Sequence, residues 1–223
     1  MKTPHFVFAL LVTAAATADA ATVAGRVTVA GRPRMADVVT IVYAEPLDGS
    51  RPKPGTFTLS QRNKIFSPRV LPVPAGSTVR FPNDDLIFHN VFSLSRPNPF
   101  DLGLYRAGSS QNRTFGAPAV YRVFCNIHPQ MTAIVLVLPT SYYTQIGDDG
   151  SFRLEVPAGR YRLSAWSERA QLATIEVTVT EPQSTAGDLK LDESRFVVAP
   201  RLNKFGQQYA SLAYDPSVDG RPR

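Results

Sequence analysis

The residues best suited to chemistry lie in one short segment and at one earlier position. The segment Cys125-Asn126-Ile127-His128-Pro129-Gln130-Met131 offers a thiolate, an imidazole and a thioether. It follows a predicted strand, and a loop between two strands allows these three groups to converge on one point. A second imidazole, that of His89, is on an earlier predicted strand, and this strand can lie alongside the one that leads into the segment. The pattern therefore predicts a metal site.

This set of side chains is selective for one kind of metal. Two imidazoles and a thiolate, with a weakly bound thioether, are the ligands of a type 1 copper site. Zinc prefers harder ligands or additional thiolates, and calcium and magnesium require oxygen ligands. The sequence predicts one copper ion, alternating between Cu(I) and Cu(II), with the ligands His89, Cys125, His128 and Met131.

Each of these residues taken singly has a structural explanation. A lone cysteine commonly behaves as a small buried apolar residue, and a methionine commonly fills a gap in a core. Those explanations weaken when the residues are taken together. Cys125 is the only cysteine, and of the three histidines only His5 lies outside the predicted site.

Composition favours an all-β globular protein. Of the 223 residues 43% are hydrophobic and 19% are charged, which excludes wholesale disorder. Nineteen prolines and fourteen glycines favour short strands joined by turns rather than a helical bundle. The net charge is +6, but the basic residues are scattered, so no nucleic-acid surface is predicted. A solvated basic surface and docking to an acidic partner both remain open.

The N-terminus has the pattern of a cleavable signal peptide, residues 1–20. Lys2 supplies a positive charge, Phe6 to Val12 an apolar stretch, and Ala18-Asp19-Ala20 a cleavage pattern of small residues. No later segment has the roughly 20 apolar residues needed to span a bilayer. We therefore expect a periplasmic or secreted protein without a transmembrane segment after signal removal. A single cysteine permits no internal disulfide.

Alternating and β-branched segments predict the strands that position these residues. The long segment Ser95 to Arg113 is predicted to be a loop, and the pattern fades beyond about Asp192. The predicted strands are 22–29, 37–43, 56–61, 65–68, 69–72, 77–81, 88–94, 119–125, 133–138, 151–156, 160–166 and 172–179.

The middle of the chain, about Thr56 to Pro139, resembles the cupredoxins, the plastocyanin and amicyanin family of copper-binding β-sandwiches. The resemblance implies that His89, Cys125, His128 and Met131 bind copper, and that the backbone N–H of Asn90 bonds the cysteine sulfur. The two-residue gap between His128 and Met131 resembles amicyanin. The matching stretches are 66–68, 74–79, 81–85, 89–91 and 125–131.

The flanks resemble a different module, the carboxypeptidase-regulatory-like or transthyretin-like sandwich. The resemblance is carried by turn and strand motifs such as Gly31-Arg32-Pro33, Asp149-Gly150-Ser151-Phe152 and Pro157-Ala158-Gly159. We therefore expect a Greek-key cupredoxin sandwich inserted into a second, smaller β-sandwich. The predicted domains are the first part of that sandwich (21–46), the cupredoxin domain (47–139), the second part (140–192) and a C-terminal extension (193–223).

The resemblance implies a one-electron carrier with an unidentified redox partner, reached through His128. Copper storage or delivery, or an envelope scaffold without a redox role, is the alternative. An enzyme is not expected, because multicopper enzymes need further histidine ligands and none remains. Pro129 lacks an N–H and so cannot donate to the thiolate, which predicts a lower reduction potential.

Overall fold

The structure is a computed structural model that describes residues 20–32, 34–180, 183–185, 187–198 and 201–208. The predicted all-β fold is confirmed, because the helical structure in these ranges consists of one short 3-10 helix, Met35–Asp37. None of the described helices is long and apolar enough to span a membrane. The predicted signal peptide lies outside the described residues apart from its last residue, Ala20.

The described strands are numbered in chain order. They are β1 (Ala20–Ala30), β2 (Thr40–Pro46), β3 (Thr56–Thr58), β4 (Ser60–Arg62), β5 (Ile65–Ser67), β6 (Val70–Pro74), β7 (Ser77–Pro82), β8 (His89–Ser93), β9 (Phe100–Tyr105), β10 (Ser110–Phe115), β11 (Ala119–Phe124), β12 (Thr132–Leu138), β13 (Tyr143–Gln145), β14 (Ser151–Pro157), β15 (Gly159–Ser167), β16 (Ala173–Val179), β17 (Gln183–Thr185) and β18 (Leu189–Asp192).

The middle of the chain forms a sandwich of two sheets. The larger sheet has the strand order β6-β12-β11-β8-β9, and the smaller has the order β10-β7-β3. Both sheets are mixed, because β6 runs parallel to β12 and β3 parallel to β7 while the other pairs are antiparallel. Side chains that alternate along the strands fill the core between the sheets, as in Val79 and Phe81 of β7.

The flanking segments form a second sandwich. In one sheet β1 pairs with β14, β17 and β18, and the other sheet has the order β13-β2-β15-β16. The core between these sheets draws residues from both ends of the chain, such as Val23, Leu163 and Leu191. The chain therefore leaves this sandwich after β2 and re-enters it at β13. The domain boundaries themselves stay a prediction.

A third hydrophobic cluster joins the two sandwiches. Along β12, Ala133, Val135 and Val137 face the core of the first sandwich. The alternate residues of β12 face the other way and pack against β2 and β15 of the second sandwich. Strand β12 is therefore buried on both faces, which explains its nearly continuous apolar sequence. The cluster consists of Ile41, Tyr43, Val70, Ile134, Leu136, Leu138 and Trp166.

The predicted long loop from Ser95 to Arg113 is wrong. The segment contains β9 and most of β10, and β9 pairs with β8 across a register irregularity. Strand β10 is an edge strand in which only Phe115 is buried. An edge strand facing solvent needs few apolar residues, so its polar sequence did not show the alternation of a half-buried strand.

The predicted C-terminal extension begins inside the second sandwich. Glu193 is buried, and its carboxylate pairs with the buried guanidinium of Arg32 at 2.5 Å. Arg32 also donates hydrogen bonds to the Val38 carbonyl and to the hydroxyl groups of Thr40 and Ser167. A buried charge pair with this many hydrogen bonds satisfies both ions, and it anchors the chain after β18 to the rest of the sandwich.

Candidate metal centre

His89 begins β8, an inner strand of the larger sheet whose five residues are all buried. Its side chain is 0% exposed. The neighbouring strand β11 ends at Phe124, directly opposite Phe92 of β8. Cys125 follows at once and is equally buried. The start of β8 and the end of β11 therefore place the imidazole of His89 and the thiol of Cys125 at the same end of the sheet.

The segment from Cys125 to Met131 is a tight loop between the antiparallel strands β11 and β12. The N–H of Met131 donates to the His128 carbonyl at 2.9 Å, and the N–H of Cys125 donates to the Met131 carbonyl at 3.4 Å. These bonds fold the loop back on itself. They explain how residues separated by only a few positions place their side chains in one small volume.

The structure brings three of the four predicted ligands together within 4.8 Å. Nδ1 of His89 lies 3.1 Å from Nδ1 of His128. The sulfur of Cys125 lies 3.7 Å from Nδ1 of His128 and 4.0 Å from Nδ1 of His89. Two imidazole nitrogens and one sulfur therefore form a triangle with sides of 3.1, 3.7 and 4.0 Å.

The size of this triangle fits a metal ion. Its centre lies about 2.1 Å from each of the three atoms, close to the distances of about 2.0–2.1 Å to nitrogen and about 2.3 Å to sulfur at zinc sites. Two nitrogens and one thiolate in a trigonal arrangement are the ligand set of blue copper. The residues present therefore fit the predicted copper ion.

Met131, the fourth predicted ligand, begins the return from the loop into β12. Its side chain is buried and belongs to the same hydrophobic core as Cys125. His128 is half-buried, and Ile127 beside it is 47% exposed. The centre therefore has one wall of core residues and one imidazole near the surface.

Asp85 orients His89, a role that no pattern in the sequence indicates. One oxygen of its carboxylate lies 2.7 Å from Nε2 of His89. The same carboxylate accepts hydrogen bonds from the backbone N–H groups of Asn63 and Lys64. A proton held on Nε2 leaves Nδ1 of a neutral imidazole with a free lone pair, which is the form that binds a metal.

Hydrogen bonds to Asp85 also set its charge. Burial alone would raise the pKa of Asp85, but the N–H groups of Lys64 and Asn63 and the imidazole of His89 lower it. For His89, burial would lower the pKa, but Cys125 and Asp85 raise it. The carboxylate is therefore ionised at neutral pH and can accept the proton of Nε2.

The thiol of Cys125 is poised to ionise. Burial would raise its pKa, but hydrogen-bond contacts with the rings of His128 and His89 and with the backbone N–H groups of Asn90 and Ile127 lower it to about 6. The thiolate is the metal-binding form of cysteine. Asn90, which the resemblance links to the sulfur, lies immediately after His89 and donates from its backbone. Pro129 contributes a carbonyl that accepts a hydrogen bond from Arg201.

The fold and the site together define a class: a two-sheet β-sandwich with a cluster of one buried thiol, one buried imidazole and one half-buried imidazole at the end of its larger sheet. Among the described residues, His89, Cys125 and His128 form a group of side chains that has the spacing of metal ligands. No model of a protein family matches the sequence. No curated protein matches it either.

Solved structures match a part of the chain. It is similar to a purple cupredoxin from Nitrosopumilus maritimus, with 26% identity over 38% of this chain and 99% of that chain, and a TM-score of 0.34. It is similar to amicyanin from Paracoccus versutus, with 19% identity over 44% of this chain and 97% of that chain, and a TM-score of 0.35. A copper-containing nitrite reductase from Thermus scotoductus SA-01 is 29% identical over 42% of this chain but only 25% of that chain, with a TM-score of 0.36.

Proposed function

We propose that this protein is an exported type 1 copper protein that carries single electrons. The observation that supports this proposal is the triangle formed by Nδ1 of His89, Nδ1 of His128 and the sulfur of Cys125. In the proposal these three groups and the thioether of Met131 hold one copper ion. Bound copper supplies one-electron chemistry, because it alternates between Cu(I) and Cu(II).

The protein's contribution is a rigid and dry set of ligands. His89 begins β8 and Cys125 directly follows the adjacent strand β11, both are fully buried, and the Asp85 carboxylate contacts the ring of His89. Ligands that are already held in place need little rearrangement when the charge of the bound ion changes, and small rearrangement favours fast electron transfer. Delivery of copper to another protein would require easier release than this buried site offers.

His128 is the proposed route for the electron. It is the half-buried imidazole of the pair, and Ile127 exposes an apolar side chain next to it. A redox partner that docks over Ile127 and Pro129 would come close to the imidazole of His128 without opening the site. The partner is proposed to be a protein, of unidentified kind, that meets this one outside the cytoplasm.

A role in catalysis is less well supported than electron transfer. The sequence contains three histidines, and His5 falls in the predicted signal peptide. Both remaining histidines belong to the one proposed site. A second copper ion bound by histidines, as a multicopper enzyme requires, would have no ligands of that type.

The decisive experiment adds Cu(II) to the purified apoprotein and records the visible spectrum. We expect an intense thiolate-to-copper band that is absent from the Cys125→Ser variant. A protein that gives no such band, or that takes up only zinc, would refute the copper site. Voltammetry of the copper-loaded protein then separates the two roles: a reversible one-electron wave supports electron transfer, and loss of copper on reduction indicates storage or delivery.

A further inference from the structure

The C-terminal segment 201–208 forms a small self-contained hairpin. Leu202 and Gln208 form a bridge, and the N–H of Asn203 donates to the Gln207 carbonyl at 2.7 Å. The side-chain oxygen of Asn203 accepts the N–H groups of Phe205 and Gln207, and Gly206 takes the positive φ of 75° that closes the turn. The hairpin therefore has a defined shape of its own.

Lys204 of this hairpin forms hydrogen bonds to the loop that carries three of the proposed ligands, Cys125, His128 and Met131, and to a neighbouring strand. Its backbone N–H donates to the side-chain oxygen of Asn126 at 3.1 Å. Its ammonium group donates to the carboxylate of Asp101, on β9, at 2.9 Å. One residue thus links the Cys125–Met131 loop to the edge strand of the larger sheet, although it is separated by 78 and 103 residues from these partners.

Two further bonds close a ring of four residues. The side-chain amide of Asn90 donates to Asp101 at 2.6 Å. The backbone N–H of Asn126 donates to the side-chain oxygen of Asn90 at 3.3 Å. The ring therefore runs from Lys204 to Asp101, Asn90 and Asn126 and back to Lys204. Asn90 and Asn126 are the residues that directly follow the proposed ligands His89 and Cys125.

A second contact of the hairpin is to Pro129, the residue that follows the proposed ligand His128. The guanidinium of Arg201 donates to the carbonyl of Pro129, which directly follows His128. The hairpin therefore contacts directly the residues after Cys125 and His128, and it reaches Asn90, the residue after His89, through Asp101. We infer that the hairpin 201–208 is a positioning element of the metal centre, which holds the ligand loop in its binding geometry before the metal arrives.

This inference rests on the proposed copper function. What it states about the metal-free protein is that the hairpin stiffens the loop from Cys125 to Met131. Lys204 and Asp101 are partly exposed, at 31% and 38%. An ion pair at such exposure contributes about 0.2–1 kcal/mol, which corresponds to a rate change of about 1.4- to fivefold. It is also weakened by salt, whereas the apolar packing of the core is not screened.

The test compares Lys204→Met, the conservative variant Lys204→Arg, and the matched control Lys190→Met on the exposed face of β18. In the metal-free protein we expect amide hydrogen exchange of Asn126 and Met131 to be about 1.4- to fivefold faster in Lys204→Met. Lys204→Arg should restore the wild-type rate, and Lys190→Met should match wild type. Asn203→Ala, which disrupts the hairpin itself, should resemble Lys204→Met.

A copper readout completes the experiment. Copper release to a chelator should be faster by a similar factor in Lys204→Met, and the position of the thiolate band should shift. Raising the salt concentration should speed release from wild type but not from Lys204→Met. If exchange and release in Lys204→Met equal those of Lys190→Met, the inference is overturned. Because the exchange experiment uses metal-free protein, it tests the hairpin even if the protein binds no copper.

Discussion

Replacing Asp85 by asparagine should weaken copper binding without unfolding the protein. Both oxygens of the Asp85 carboxylate accept hydrogen bonds, one from the N–H of Asn63 and the other from Lys64 and His89. An asparagine has only one accepting oxygen, so in either orientation its NH₂ group faces another donor. The variant therefore loses at least one hydrogen bond, and the ring of His89 can then adopt a second orientation.

The size of the effect follows from burial. The side chain of His89 is 0% exposed and that of Asp85 is 11% exposed, so water does not screen their contact effectively. A hydrogen bond to a charged group in such surroundings contributes about 1.5–3 kcal/mol. Loss of a partner that orients a ligating histidine weakens metal binding by about 10- to 100-fold. We expect the affinity of Asp85→Asn for Cu(I) to fall within that range.

The assay is competition for Cu(I) with a chromophoric chelator, and the matched control is Asp84→Asn. Asp84 is the exposed neighbour in the same loop. Nitrogen NMR of the metal-free protein supplies an independent readout, because the proton of His89 should leave Nε2 for part of the population in Asp85→Asn. If the affinity of Asp85→Asn lies within about twofold of Asp84→Asn, well below the expected loss, then Asp85 does not position His89.

Three further changes test other parts of the structure. Pro129→Ala adds the backbone N–H that proline lacks, and voltammetry should show a higher reduction potential; an unchanged potential contradicts the role given to Pro129. Leu136→Ala opens a cavity between the two sandwiches and should lower the free energy of unfolding by about 2–5 kcal/mol in denaturant titrations. Burial would raise the pKa of Glu193, but Arg32 and Ser167 lower it, so its contribution to stability is complete above the ordinary value of 4.5 and is lost as pH falls below it. Glu193→Gln should therefore unfold more easily at neutral pH and show a shallower loss of stability in acid.

Much of the fold and of the site could be predicted because the signals are local. Strands β7 and β11 alternate between buried and more exposed side chains with a period of two, and the loop from Cys125 to Met131 contains a cysteine, a histidine and a methionine within seven residues. His89, Cys125 and His128 lie together in the structure as the pattern predicts. Their roles as copper ligands stay a prediction until the spectrum is recorded.

The missed features depend on contacts that no local pattern encodes. Asp85 lies four residues before His89, but it reaches Nε2 only because buried Asn83 bends the loop by donating to the Ile87 carbonyl and accepting the N–H of Asp85. The sequence shows the spacing but not the bend. Lys204 is further removed still, because its partners are set by the packing of a segment that has weak periodicity of its own.

The second sandwich packs against β12, the strand that follows the proposed metal-binding loop. Strand β12 begins directly after Met131, so its position sets where the ligand loop ends. On one face β12 contributes Val135 to the core that contains Cys125, and on the other Leu136 packs in the cluster that contains Trp166 of the second sandwich. A strand packed on both faces has little freedom to shift. We therefore expect the second sandwich to restrain β12 through that cluster, and the hairpin 201–208 to restrain the ligand loop through its hydrogen bonds to Asn126 and Pro129.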